Sequence, residues 1–176
     1  AGINGFLTKP IFKADILEQM KQYIQGGYQE DEEQQIRESD NLEGVRILVA
    51  DDNELNLEIM FEIFNSSGAA VDCAHNGKEA LEAYLKSSQG YYQIILMDVH
   101  MPEMNGLEAT KEIRNSGRPD ACTVPIIAMT ADVFKEDIRR CQDAGMNAHM
   151  GKPVELDKLY STVRKLLNKE ALGEKQ

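Results

Sequence analysis

The stretch Ile94-Ile95-Leu96-Met97-Asp98-Val99-His100-Met101-Pro102-Glu103-Met104-Asn105-Gly106 decides the fold. An apolar run ends in a carboxylate and passes into a loop marked by Pro102 and Gly106. This reads as a strand buried on both faces, with Asp98 set out at its C-terminal rim. Three more apolar runs end in polar residues in the same way. Residues 45–50 end in Asp51-Asp52, residues 125–129 in Thr130, and residues 148–151 in Lys152. If the strands are parallel, three carboxylates, a hydroxyl and an amine converge on one edge.

The surrounding sequence makes them parallel. Strand and helix patterns alternate from residue 45 onward. Predicted strands cover 45–50, 70–74, 93–97, 125–129 and 148–151. Predicted helices cover 54–66, 76–87, 106–115, 132–144 and 155–168. In the first helix Leu55, Ile59 and Ile63 form one face, with Asn53 as N-cap and Gly68 as stop. Ala80, Leu81 and Tyr84 line the second, and Leu156, Leu159, Val163 and Leu167 the last. Five such units imply an α/β fold, a parallel sheet with helices on both faces. The expected architecture is a flavodoxin-like (βα)5 three-layer sandwich of strand order 2-1-3-4-5. Its ligand site lies beyond the C-terminal ends of strands 1 and 3, which carry Asp51-Asp52 and Asp98.

The chain has 176 residues, a formal net charge of −11 and 42% apolar residues. That is enough for one core, and the acidity argues against nucleic acid as a direct partner. Cys73, Cys122 and Cys141 lack metal-ligand spacing and fit free thiols in a reducing compartment. No apolar run approaches the ~20 residues that cross a bilayer, and no signal-peptide pattern opens the chain. The expected setting is cytoplasmic, with no membrane contact by this segment and a first residue, Ala1, that suits an excised fragment.

Residues 1–44 differ in character. Residues 29–44 carry seven acidic side chains against the single Arg37 and read as a solvated linker. Before it lies a repeat. Residues 1–10 match residues 144–153 at five of ten positions, including Lys9-Pro10 against Lys152-Pro153. The register continues without a gap, pairing Ile16 with Leu159, Met20 with Val163 and Ile24 with Leu167. The expected domains are a strand–helix piece at 1–24, a linker at 25–44, the main domain at 45–169 and a polar tail at 170–176.

Clustered carboxylates repel one another unless a cation or shifted pKa values relieve them. Oxygen-only ligands favour a hard ion, Mg²⁺ or Mn²⁺, with Asp51, Asp52 and Asp98 as its carboxylates. A metal alone needs neither Thr130 nor Lys152. A phosphoryl group needs both, as hydrogen-bond donor and positive charge around its oxygens. Asp98 would then be the nucleophile, forming an acyl phosphate.

Residues 45–169 resemble a response-regulator receiver domain of two-component signalling. The resemblance rests on Asp51-Asp52, the block from Met97 to Gly106, Met129-Thr130-Ala131 and Gly151-Lys152-Pro153. The text around residues 51–56 and 144–147 is most similar to receivers of hybrid sensor histidine kinases. The resemblance implies that Asp98 takes a phosphoryl group from a phosphohistidine of a histidine kinase or histidine phosphotransfer domain. It implies Mg²⁺ held directly by Asp52, Asp98 and the backbone carbonyl of His100, with Asp51 acting through water. Thr130 and Lys152 would bind the phosphoryl oxygens. Phosphorylation would draw Thr130 inward and shift the face made by the fourth helix, fifth strand and fifth helix, which could also pair two copies.

The switch residue of that strand is commonly Tyr or Phe; here it is His149. It either fills the aromatic's slot, the favoured reading, or titrates and makes output depend on pH. The resemblance implies that the positions two past Asp98 and two past Thr130, here His100 and Asp132, influence acyl-phosphate lifetime. His75 is expected on a surface loop.

The parent implied is a hybrid sensor histidine kinase, membrane-anchored or not, with tandem receivers. Residues 1–24 would be the end of a preceding receiver, with Lys9 and Phe6 its phosphate lysine and switch aromatic. That piece would dock on this receiver or on a second copy. On its own the segment would be a phosphoacceptor with slow autodephosphorylation. Two alternatives are a metal-dependent aspartyl-phosphate phosphatase and a scaffold that accepts no phosphoryl group.

Overall fold

In the computed structural model, residues 41–131 and 134–171 are described. The N-terminal repeat, most of the acidic linker, Asp132 and the last residues of the tail lie outside them. Ten elements alternate along the chain: β1 (Arg46–Ala50), α1 (Glu54–Ser66), β2 (Ala70–Ala74), α2 (Gly77–Lys86), β3 (Ile94–Asp98), α3 (Gly106–Arg114), β4 (Ile126–Thr130), α4 (Lys135–Ala144), β5 (Ala148–Gly151) and α5 (Leu156–Ala171). The strands form one parallel sheet in the order β2-β1-β3-β4-β5. This is the flavodoxin-like arrangement that the alternating pattern predicts.

The three central strands are buried from end to end, apart from the half-buried Arg46 that opens β1. Successive side chains on a strand point to opposite faces. Leu48, Ala50, Ile95, Met97, Ile126 and Ala128 therefore share a face, packed with Ala80 and Tyr84 of α2, Ala109 and Ile113 of α3 and Cys141 of α4. On the other face, α1 and α5 meet through the Phe64 and Tyr160 rings, whose centroids are 6.4 Å apart and edge-on. Tyr160 also donates its hydroxyl hydrogen bond to the Ile63 carbonyl. Each fully buried Leu, Ile or Phe contributes about 1.5–3 kcal/mol relative to an exposed one.

The inner face of α1 differs from the expected stripe. Leu57, Met60, Ile63 and Phe64 are buried, whereas Leu55 is 37% exposed. The Leu55–Ile59–Ile63 spacing fits a helix, but Leu57, Met60 and Phe64 describe a second, wider stripe. Met60 and Phe64 fill the core together with Leu57 and Ile63, which leaves Leu55 at the first turn, beside the sheet's C-terminal edge.

Asparagine starts three helices. Asn53, Asn76 and Asn105 each accept a backbone N–H from the first turn of α1, α2 and α3. The last forms a reciprocal capping box with Glu108. The expected N-terminal boundary of the second helix therefore shifts by one residue, Asn76 being its cap. Helix α5 runs to Ala171, past the expected end at residue 168. Among the described residues, no helix is long and apolar enough to cross a membrane.

At the far edge of the sheet, Asp120 ties helix α2, the α2–β3 connection and its own α3–β4 connection together. It accepts from Tyr84 Oη (2.9 Å), the Gly90 N–H (2.8 Å) and Arg118 Nε (3.0 Å). Arg118 in turn donates to the carbonyls of Tyr84, Ser87 and Ser88, and stacks over the Tyr84 ring. The Arg118 guanidinium holds Asp120 far below the usual carboxylate range. Burial and the Asp120 hydrogen bond push the Tyr84 hydroxyl up to about 12.

Candidate functional site

Strand register explains why distant residues meet. Ala50 pairs with Met97, Asp98 with Met129, and Thr130 with Gly151. Asp51, Asp98, Thr130 and Lys152 consequently leave adjacent strands at nearly one level of the C-terminal edge. Asp51, Asp52 and Asp98 each place a carboxylate oxygen within 4.8 Å of the others. Asp51 and Asp98 are buried, 1% and 5% exposed, and Asp52 is open to solvent.

Lys152 supplies the balancing charge. Its Nζ donates to Asp51 Oδ2 at 2.6 Å and to Asp98 Oδ2 at 2.7 Å. The Lys152 backbone N–H donates to the Thr130 carbonyl at 2.8 Å, which fixes the start of the lysine's reach. A cis Lys152–Pro153 bond follows. Burial raises the Asp98 carboxyl above its ordinary value, against the opposing pull of Lys152 and the His100 N–H. Burial works against the Lys152 charge too, but the hydrogen bonds to Asp51 and Asp98 outweigh it and raise that pKa. Thr130 is buried at the end of β4.

Asp51 is held on several sides. It accepts from the Asn53 N–H at 2.9 Å and from Asn56 Nδ2 at 3.0 and 3.1 Å. Asn56 is a site residue that sequence reasoning missed. Its signal was available: five residues after Asp51, in the first turn of α1, its amide can reach back to the strand end.

The loop after β3 is shaped by two glycines. A Cβ at Gly106 would collide with the Asp98 carbonyl oxygen and crowd Met97 Cγ at 2.9 Å. A Cβ at Gly77 would stand 2.5 Å from the Met104 carbonyl oxygen. These contacts clamp the loop between the sheet and α2. Within it, the His100 N–H donates to Asp98 Oδ1 at 3.1 Å and Glu103 takes φ 63°. The His100 side chain is exposed.

The structure thus brings Asp51, Asp52, Asp98, Thr130 and Lys152 to one edge, with the His100 backbone beside them. His149 lies on β5 with its side chain exposed. Asp132 lies outside the described residues. His75 is exposed as expected, yet flanked by Glu54 and Glu79.

An all-oxygen set of three carboxylates fits a hard divalent cation better than a soft one. Asp51 and Asp98 otherwise share one ammonium, so a cation among them would relieve their repulsion.

The family model described as response regulator receiver domain matches residues 47–164. Hybrid signal transduction histidine kinase L of Dictyostelium discoideum is 36% identical over 121 residues, covering 68% of this chain and 7% of its own length. Probable histidine kinase 4 of Oryza sativa subsp. japonica is 37% identical, with 70% and 14% covered. Sensory/regulatory protein RpfC of Xanthomonas campestris pv. campestris is 33% identical, with 74% and 18% covered. The chain therefore spans less than a fifth of the length of these relatives. Among solved structures, the receiver domain of sensor histidine kinase PA1611 from Pseudomonas aeruginosa PAO1 superposes with TM-score 0.64 at 31% identity. The match covers 71% of this chain and 98% of that one, which holds a magnesium ion in its active-site cleft.

Proposed function

The chain belongs to the response-regulator receiver domain family, and we propose that Asp98 is its phosphoacceptor, charged from a phosphohistidine. The observation that carries this reading is the Asp98 carboxylate, buried at the end of β3 and hydrogen-bonded by Lys152 Nζ at 2.7 Å. Beside it stand two more carboxylates.

An Asp98 oxygen attacks the phosphorus of the incoming phosphohistidine. A P–O bond forms, the P–N bond breaks, and the imidazole leaves and takes up a proton. Lys152, shared in this structure between Asp51 and Asp98, turns to the transferred phosphoryl oxygens. Thr130 donates to another of them. Asp52, Asp98 and the His100 carbonyl would hold Mg²⁺, with Asp51 acting through water. A cation held there would supply positive charge against the phosphoryl oxygens. The His100 N–H keeps the attacking carboxylate oriented.

The wider setting extends the same reading. The donor is a histidine kinase or histidine phosphotransfer domain, and the parent is a hybrid histidine kinase. Its resemblance to the kinases above supports this, as does the N-terminal repeat for a tandem receiver. Thr130 and His149 transmit the phosphoryl state to the α4–β5–α5 face, where two copies could pair. His100 and Asp132 set acyl-phosphate lifetime through access of water. Light scattering with and without residues 1–28 tests docking of the repeat; identical mass and melting would overturn it.

Incubation with acetyl phosphate and Mg²⁺ tests the main reading. A receiver gains one phosphoryl group per chain and loses it slowly. Turnover of many equivalents would favour a phosphatase, and no labelling would favour a scaffold.

A further inference from the structure

His75 follows β2 and stands between two helices. Its Nδ1 lies 3.1 Å from Glu79 Oε2 on α2, and its Nε2 lies 3.2 Å from Glu54 Oε2 on α1. Ionised carboxylates accept hydrogen bonds and cannot donate them. A neutral imidazole has one N–H and serves one of the two, whereas the imidazolium serves both. The geometry is therefore that of a charged ring.

The two carboxylates are not held alike. Glu79 also accepts the His75 backbone N–H at 2.8 Å, and its own N–H donates to Asn76 Oδ1 at 2.9 Å. It stays in place whatever the ring's charge. Glu54 reaches α2 through the ring. Glu54 is the first residue of α1 and follows Asp52 and Asn53 directly, so the bridge stands on the rim of the acidic pocket.

The charged groups facing the ring come from two elements, Glu54 of α1 and Glu79 of α2. Glu54 also helps to push up the Cys73 thiol of β2, after burial and Asp72. The Glu79 hydrogen bond, more than any other cause, raises His75 above its ordinary 6.5. The His75 backbone N–H, and after it the ring, hold the Glu79 carboxyl below its ordinary value.

We propose that protonated His75 clasps the first turn of α1 to the first turn of α2, and that its deprotonation frees Glu54 and leaves the pocket rim more negative. The pocket's affinity for a divalent cation then rises with pH across the His75 titration. This second part rests on the reading of Asp51, Asp52 and Asp98 given above; the clasp itself does not. All groups involved are exposed, so screening limits the gain in affinity to about twofold.

The test follows the His75 ring and the backbone amides of residues 54–56 by NMR across pH, on the whole chain without metal. The expected result is a ring midpoint above 6.5, shared by those amides. Glu54→Gln lowers the midpoint, and His75→Gln removes the amide transition. An unchanged midpoint in Glu54→Gln, or amides indifferent to the ring, would overturn the clasp. Calorimetric titration with Mg²⁺ reads the second part. Affinity rises about twofold with pH in the wild type, beyond any rise in His75→Gln. Equal pH profiles in the two proteins would overturn the coupling. Absence of Mg²⁺ binding at every pH would instead sink the cation site, with the NMR result still deciding the clasp.

Discussion

Lys152 Nζ donates to Asp98 Oδ2 at 2.7 Å, and the same ammonium reaches Asp51 Oδ2 at 2.6 Å. One positive charge thus keeps two buried carboxylates together. Lys152→Met leaves them facing each other. Without divalent cation, unfolding free energy should fall by about 2 kcal/mol, less than for a fully buried pair because the lysine side chain is 24% exposed. Added Mg²⁺ should restore part of the loss. Urea melts with and without Mg²⁺ check both, and an equally stable metal-free variant would show that the pair does not stabilise the fold.

Gly106 allows the Asp98 carbonyl to approach its Cα directly. Gly106→Ala inserts a methyl group against backbone rather than against a flexible side-chain end. The loop after β3 must shift, at a cost of about 3 kcal/mol. Chemical denaturation measures the loss. Acetyl-phosphate labelling should slow as well, because the same loop carries the His100 N–H that orients Asp98.

Asn56 holds Asp51 by two contacts from one amide. Asn56→Ala should cost about 1 kcal/mol of stability. Its larger effect should be a several-fold weaker Mg²⁺ affinity, read by calorimetry. Unchanged affinity would mean that Asp51 is positioned by the Asn53 N–H and Lys152 alone.

Asp120 predicts an acid limb of stability remote from the site. Its folded pKa lies far below the ordinary 3.8, chiefly through Arg118. A carboxyl lowered on folding stabilises fully above its unfolded value, and the contribution fades as pH falls through the folded one. Asp120→Ala should therefore cost about 2 kcal/mol near neutral pH. The gap to the wild type should narrow only below about pH 4. Urea melts over that range decide it; a gap constant down to the acid limb would mean that the ion pair contributes nothing.

The parallel strands and their four converging ends were legible because buried parallel strands read as apolar runs, and polar residues end them; the strand order came with the flavodoxin-like arrangement that such units adopt. Asp51, Asp52, Asp98, Thr130 and Lys152 could be found for that reason. The inner face of α1 was legible only in part. Ile63 is buried as its spacing suggests, but Leu57, Met60 and Phe64 satisfy helical spacing as well as Leu55 and Ile59 do, and only packing against the sheet and Tyr160 brings them inward. Asn56 and Gly77 were missed for another reason. The amide of Asn56 matters through the strand end it reaches back to, and Gly77 through the loop packed on its Cα. His75 shows the same limit: its two carboxylate partners are four and 21 residues away, and only the fold brings both to the ring.

Locating the transferred phosphoryl group tests the account most directly. The chain is phosphorylated with acetyl phosphate and Mg²⁺, reduced with borohydride to convert an aspartyl phosphate to homoserine, and mapped by peptide mass spectrometry. The account predicts homoserine at position 98, and no product in Asp98→Asn. Homoserine at position 51 or 52 in the wild type, or undiminished labelling of Asp98→Asn, would contradict it.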